Sequence, residues 1–136
     1  MCVLATCKDN MPRATPLEYY SKETTVYILL ERGKTLTNLK SNPAVSIAIY
    51  ASYTSWLSLK GLRISGKAKT LTDKETEYEE ILKSYEKNKQ ERERELRSIL
   101  QGWQSMEIIQ VKAESIEYLD SSLATKGFAI KQTWTY

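Results

Sequence analysis

Along most of the chain apolar positions alternate with polar ones at the two-residue period of a half-buried β-strand, and only a few stretches fall into helical spacing. Cys2-Val3-Leu4-Ala5-Thr6-Cys7 is a first β-prone run, and Lys8 to Pro12 turns it into Arg13-Ala14-Thr15-Pro16-Leu17-Glu18-Tyr19-Tyr20. Pro16 offers no N–H to a ladder, which predicts an edge, a bulge, or a strand whose carbonyls serve a ligand. Ser21 to Thr24 turns the chain again into Thr25-Val26-Tyr27-Ile28-Leu29-Leu30. These three strands are expected to pair in order, as an antiparallel meander. Ala44 to Tyr50 alternates strictly, with Val45, Ile47 and Ile49 on one face and small residues opposite, so close packing is expected on both faces. A long strand is predicted from Trp56 to Leu71, bulged or bent at Gly61 where the alternation changes phase, with a second close approach at Gly66. Met106 to Leu119 is another long strand. After a loop from Asp120 to Gly127 the chain closes with Phe128, Ile130, Gln132, Trp134 and Tyr136 on one face.

Helical spacing enters late. Thr72 and Glu75 form a capping-box pattern, and Tyr78, Ile81, Leu82 and Tyr85 follow at i, i+3, i+4 and i+7. Leu96, Ile99, Leu100 and Trp103 repeat the spacing beyond a wholly polar stretch from Glu86 to Glu95. The reading is two helices broken near Asn88 and ending at Gly102, a helical insertion over about 73–102. Their aromatic stripes are core, and the charge run is a solvated face. Mainly strands joined by sequential turns, with helices packed outside, describe one domain over 1–136 built as a small antiparallel barrel.

One polar stretch breaks the strand pattern early. Arg32-Gly33-Lys34-Thr35-Leu36-Thr37-Asn38-Leu39-Lys40-Ser41-Asn42-Pro43 opens a helix of one to two turns that Pro43 stops. Its start aims unpaired N–H groups, a hydroxyl and the cations Arg32 and Lys34 at one spot, an arrangement suited to a phosphate. A P-loop would need glycine five residues before Gly33, where Ile28 stands, so a nucleotide triphosphatase is disfavoured. The plainer alternative is a turn at Gly33 with Leu36 and Leu39 packed inward and both cations in water.

Composition narrows the chemistry. The 136 residues suffice for one unstapled core, and no run approaches a membrane span, so a soluble cytoplasmic protein is the default expectation. Histidine is absent, which removes the usual general base and leaves Cys2 and Cys7 without partners for a zinc site. Five residues apart on a strand, the two thiols point to opposite faces and are expected to be buried and unbonded to each other. The net charge of +3 hides an uneven distribution: nine acids and seven bases lie between Asp73 and Leu100, leaving 13 bases against 8 acids elsewhere. A locally basic remainder suits a phosphorylated ligand.

Three pieces in this order resemble the FMN-binding split β-barrel family that includes pyridoxamine 5'-phosphate oxidase. They are Leu4-Ala5-Thr6 through Pro12-Arg13-Ala14-Thr15-Pro16-Leu17, then Lys34 to Ser46, then Leu62-Arg63-Ile64-Ser65-Gly66-Lys67-Ala68. The resemblance implies a six- to seven-stranded antiparallel split barrel of Greek-key type with a helix ahead of the first strand, closed by Glu107 to Leu119. It implies FMN as cofactor, with Arg13, Thr15, Pro16 and Leu17 along the flavin, Lys34 and Thr35 on its phosphate and Asn38 nearby. Family members often carry two adjacent basic residues where Lys34-Thr35 stands; loss of the second implies either weaker phosphate binding or compensation by Arg32. A homodimer with flavin between subunits is implied, with Trp56 and Trp134 as candidates to reach a partner's ring. The histidine and arginine that grip pyridoxine phosphate in the true oxidase have no counterpart in Phe128 to Tyr136, which argues against the vitamin B6 reaction. An FMN-dependent oxidoreductase with an unidentified small substrate is therefore expected, with no catalytic residue assigned. An FMN storage or sensing module is the alternative. A third reading, less favoured, is a single-stranded nucleic-acid binder stacking bases on Tyr19, Tyr20, Tyr27, Tyr50 and Tyr53.

Overall fold

The computed structural model describes residues 1–90 and 106–136. The alternating runs form β1 (Cys2–Lys8), β2 (Met11–Leu17), β3 (Tyr19–Lys22), β4 (Thr25–Glu31), β5 (Ala44–Tyr50), β6 (Lys60–Leu71), β7 (Met106–Asp120) and β8 (Lys131–Thr135). Helix α1 spans Lys34–Ser41, α2 spans Thr76–Gln90, and single 3-10 segments cover Trp56–Ser58 and Ser121–Lys126. All strand pairs are antiparallel, in the order β2-β1-β5-β6-β7-β4-β3, with β8 added to the far end of β7. Only Glu18 separates β2 from β3, yet they occupy opposite ends of that order. The sheet must therefore curl until its two edges meet, which makes a barrel split between β2 and β3.

This closure corrects the expected meander. β1 does pair with β2 and β3 with β4, but the second strand is broken at Glu18 into two, and β4 takes β7 as its other neighbour. Alternation determines which face a residue takes and carries no information about the neighbour across the ladder. The break and the added β8 also raise the strand number among the described residues to eight.

Inward faces build the main core. Cys2 and Leu4 of β1, Val26, Ile28 and Leu30 of β4, Val45 and Ile47 of β5, Ile64 of β6 and Ile109 and Val111 of β7 are buried together, and α1 lays Leu36 and Leu39 against them. A second cluster lies outside the barrel, where α2 packs Ile81 and Tyr85 on Tyr27, Leu71 and Ile108. Most of its polar atoms are paired: Tyr85 donates to the Tyr27 carbonyl (2.9 Å), and Glu77 accepts from Tyr27 (3.1 Å) and from the Gln110 amide nitrogen (2.8 Å), while the buried Gln110 Oε1 has no partner among the described residues. The expected capping pattern is present in part, since the Glu75 carboxylate accepts the Thr72 N–H at 2.7 Å one turn before α2. Helix α2 runs to Gln90, the last described residue before 106, so the expected break near Asn88, the second helical stripe and its end at Gly102 lie at or outside the edge of the described residues.

Three smaller expectations change. The strand predicted from Trp56 begins only at Lys60, after a 3-10 turn closed by Ser55 and Ser58. The ladder irregularity falls between Ser65 and Gly66 and not at Gly61. Cys2 is buried but Cys7 only half so, and Ala44 and Ala48 on the outer face of β5 are exposed.

Asp120 closes β7 onto the following turn. One oxygen accepts the Ser122 N–H (3.0 Å) and hydroxyl (2.6 Å), and the other accepts Tyr118 (3.0 Å) and faces the Lys60 ammonium at 3.2 Å. The Ser122 hydroxyl above all, aided by Tyr118 and Lys60 and opposed by burial, lowers its pKa from an ordinary 3.8 to about 2. A carboxylate depressed by folding contributes stability above its unfolded pKa and loses it as pH falls through the folded value. Asp120→Asn should therefore lower the melting temperature above about pH 5 and show a shallower decline than the parent between about pH 4 and 2. Identical acid limbs in a pH series of thermal melts would contradict this.

Candidate functional site

Register carries the inner face of the barrel outward to a cleft. Cys2, Leu4 and Thr6 of β1 stand opposite Leu17, Thr15 and Arg13 of β2, so those three point to the core side, while Pro12, Ala14 and Pro16 face away. The start of α1 meets them there. Thr35, 6% exposed, accepts a hydrogen bond from Arg13 Nε at 3.0 Å and shares another with the Thr15 hydroxyl at 3.1 Å. Three residues 20 and 22 positions apart are thereby tied into one network that holds the Arg13 guanidinium by its inner nitrogen.

Around this network lies a cleft of about 320 Å³. It gathers Arg13, Thr15, Leu17, Arg32, Lys34 and Thr35, six of the residues singled out in the sequence. Asn38 lies one turn along α1 and donates to the Thr6 hydroxyl (3.1 Å), anchoring the helix to β1. Pro16 is on the opposite face of β2. Trp56 and Trp134 line no part of the cleft and stand on the surface, 76% and 44% exposed, with Trp56 packed edge-on against Tyr53.

The cleft is electropositive for reasons of sequence. Gly33 precedes α1 without a side chain to cap it, and the first turn carries no acid. Its leading N–H groups and the positive end of the helix dipole are left uncompensated. Arg13, Arg32 and Lys34 form no ion pair among the described residues, whereas Lys40 at the far end of α1 is paired with Glu107. Glu31 is the opposing acid at the rim, and Leu17, Leu29, Leu30 and Met106 give an apolar wall. Such a cleft can hold a phosphate at one end and a planar apolar group beside it.

Sequence reading missed Leu29, Leu30, Glu31 and Met106. They come from the end of β4 and the start of β7, joined by the Glu31–Met106 pairing, and no local signal announces that neighbour. The tyrosine platform is not assembled: Tyr27 is buried and Tyr19 and Tyr20 are half-buried against the two cores, which leaves Tyr50 and Tyr53 exposed. Among the described residues no group of metal-ligating side chains occurs, and no helix is long and apolar enough to cross a membrane.

The chain is thus an antiparallel split barrel with a cationic cleft where α1 begins. Residues 1–120 match the pyridoxamine 5'-phosphate oxidase family, and the chain belongs to it. No curated protein shows a significant match. Among solved structures the chain is similar to a FAD-binding protein from Mesorhizobium loti, with 19% identity and a TM-score of 0.67 over 85% of this chain and 81% of that one. It is also similar to HutZ, the heme storage protein from Vibrio cholerae, with 16% identity and a TM-score of 0.66 over 83% and 80% of the two chains. A heme-binding protein from Mycobacterium smegmatis shares 15% identity at a TM-score of 0.69 over 98% of this chain, which spans 52% of that one. At these identities the likeness is one of fold.

Proposed function

We propose that this protein is an FMN-binding flavoprotein, an oxidoreductase acting on a small substrate, with the FMN phosphate held where α1 begins. The observation that carries this reading is the junction of Arg13, Lys34 and the uncapped first turn of α1 in one cleft with an apolar wall. Lys34 and the N–H groups meet the phosphate directly, while the Thr35 hydroxyl, already engaged, acts by fixing Arg13. Arg32 adds charge at the rim. Bound FMN supplies the redox chemistry of its ring, so the chain need only bind, orient and shield it. That division suits a protein without histidine. Absence of histidine also leaves heme, which some fold neighbours bind, without its commonest axial ligand.

The proposal includes a homodimer. Support comes from the exposed small residues of β5, Ala44 and Ala48, and from the exposed aromatic side chains of Tyr50, Trp56, Phe128, Trp134 and Tyr136. In such a dimer Trp56 and Trp134 would reach the partner's flavin.

Lys34→Ala tests the phosphate site. FMN affinity should fall about ten- to a hundredfold, because hydrogen bonds to charged groups are worth roughly 1.5–3 kcal/mol. The unfolding midpoint should stay put, since Lys34 is exposed and unpaired among the described residues. Unchanged FMN affinity would return Lys34 to the role of a solvated side chain. Turnover is a separate question: anaerobic NADH or NADPH bleaches the flavin at a catalytic rate in a reductase and leaves it yellow in a storage module.

A further inference from the structure

Strand β8 pairs with β7 alone, and all of its residues are exposed. The ladder to β7 fixes where its backbone groups point. The Ile130 carbonyl accepts the Asp120 N–H at 2.8 Å, and the Tyr136 N–H donates to the Glu114 carbonyl at 3.0 Å. Hydrogen-bonded pairs recur at every second residue of an antiparallel ladder, so Gln132 and Trp134 also turn their N–H and C=O groups to β7. The backbone groups of Lys131, Thr133 and Thr135 consequently face the other way. Among the described residues no strand lies on that side.

An edge with free donors and acceptors is a template for a further strand, and proteins block such edges with proline, inward charges or a covering segment. β8 has no proline, and its one charged residue, Lys131, stands at its end. The edge is also self-complementary. With two copies antiparallel about a twofold axis at Thr133, Lys131 meets Thr135 and Thr133 meets Thr133, so every outward-facing residue is paired and no like charges stand opposite. On the other face of the strand Ile130 comes opposite Tyr136 and Gln132 opposite Trp134. The exposed apolar side chains of Ile130 (42%), Trp134 (44%) and Tyr136 (65%) then join those of the second copy in one stripe.

We propose that the free edge of β8 pairs with β8 of a second copy of this chain, antiparallel, with Thr133 on the twofold axis. This contact is made by backbone hydrogen bonds at an edge and is separate from the outer face of β5. It does not depend on the flavin reading.

Size-exclusion with light scattering of the full chain, over a range of concentrations, tests it. Thr133→Pro deletes an outward N–H and leaves the β7 ladder intact, so at high concentration the parent should have at least about twice the mass of this variant. Thr133→Lys and Thr133→Glu each put like charges on the axis and should each show the reduced mass, whereas an equal mixture of the two should regain the mass of the parent. Equal masses for an associated parent and all three variants overturn the proposal and leave a dimer through β5 standing. A parent that is monomeric at every concentration overturns both contacts. Variants that lose mass singly and fail to regain it when mixed overturn the twofold pairing at Thr133. If Thr133→Pro does not fold, the lysine and glutamate variants decide alone, since position 133 is exposed.

Discussion

Gly66→Ala is expected to lower the stability of the protein by about 3 kcal/mol or more, read as a shift of the urea midpoint, or to prevent folding. A Cβ on Gly66 would stand 2.2 Å from the Lys112 carbonyl oxygen, with the Val111 side chain at 3.3 Å. The obstacle is backbone in the middle of the β6–β7 ladder, beside the irregularity between Ser65 and Gly66, so it cannot swing aside as a side chain could. Separating the strands would open the longest pairing in the sheet. Gly33→Ala is the matched control: nothing lies within 4 Å of its added Cβ and its φ of 175° suits any residue, so its cost should stay below about 1 kcal/mol. Equal midpoints for Gly66→Ala and the parent would contradict the close approach.

Arg13→Ala is expected to reduce FMN affinity about a hundredfold or more, beyond the effect of Lys34→Ala. Lys34 is an exposed lysine whose side chain must be ordered when phosphate binds, but Arg13 is already tethered at Nε by Thr35, which is backed by Thr15. Less conformational freedom remains to be lost. Arg13→Lys restores the charge without the planar group that fits this tether and should recover only part of the affinity. Full recovery in a binding titration would mean that charge alone matters and that the tether does not.

Much of this arrangement could be read from local pattern. Strict alternation marked β5, proline at 43 stopped α1, and the glycine at 66 signalled a close approach that Lys112 supplies. The cations of the cleft were equally readable, because Arg32 and Lys34 are sequence neighbours at a helix start and Arg13 sits in a strand with an anomalous proline. What could not be read was non-local. The break at Glu18 sends β2 and β3 to opposite edges of the sheet, the packing of α1 against the curled sheet brings Thr35 to Thr15, and the β4–β7 pairing brings Glu31 to Met106. Nor does periodicity distinguish a polar side chain that faces water from Thr35, which is buried and bonded. The Thr35 hydroxyl, expected to face a phosphate, is bonded to Arg13 and Thr15, contacts set by the fold and invisible to its place in the helix.

Comparison of FMN with riboflavin in the unaltered protein isolates the phosphate site at the start of α1, because the two ligands share the ring and differ only in the phosphate. Titration followed by quenching of flavin fluorescence, at low and at high salt, gives both dissociation constants. FMN should bind at least about a hundredfold tighter than riboflavin at low salt, with the ratio shrinking as salt screens the exposed parts of the site. Equal affinities for the two ligands, or no binding of FMN, would contradict the phosphate site.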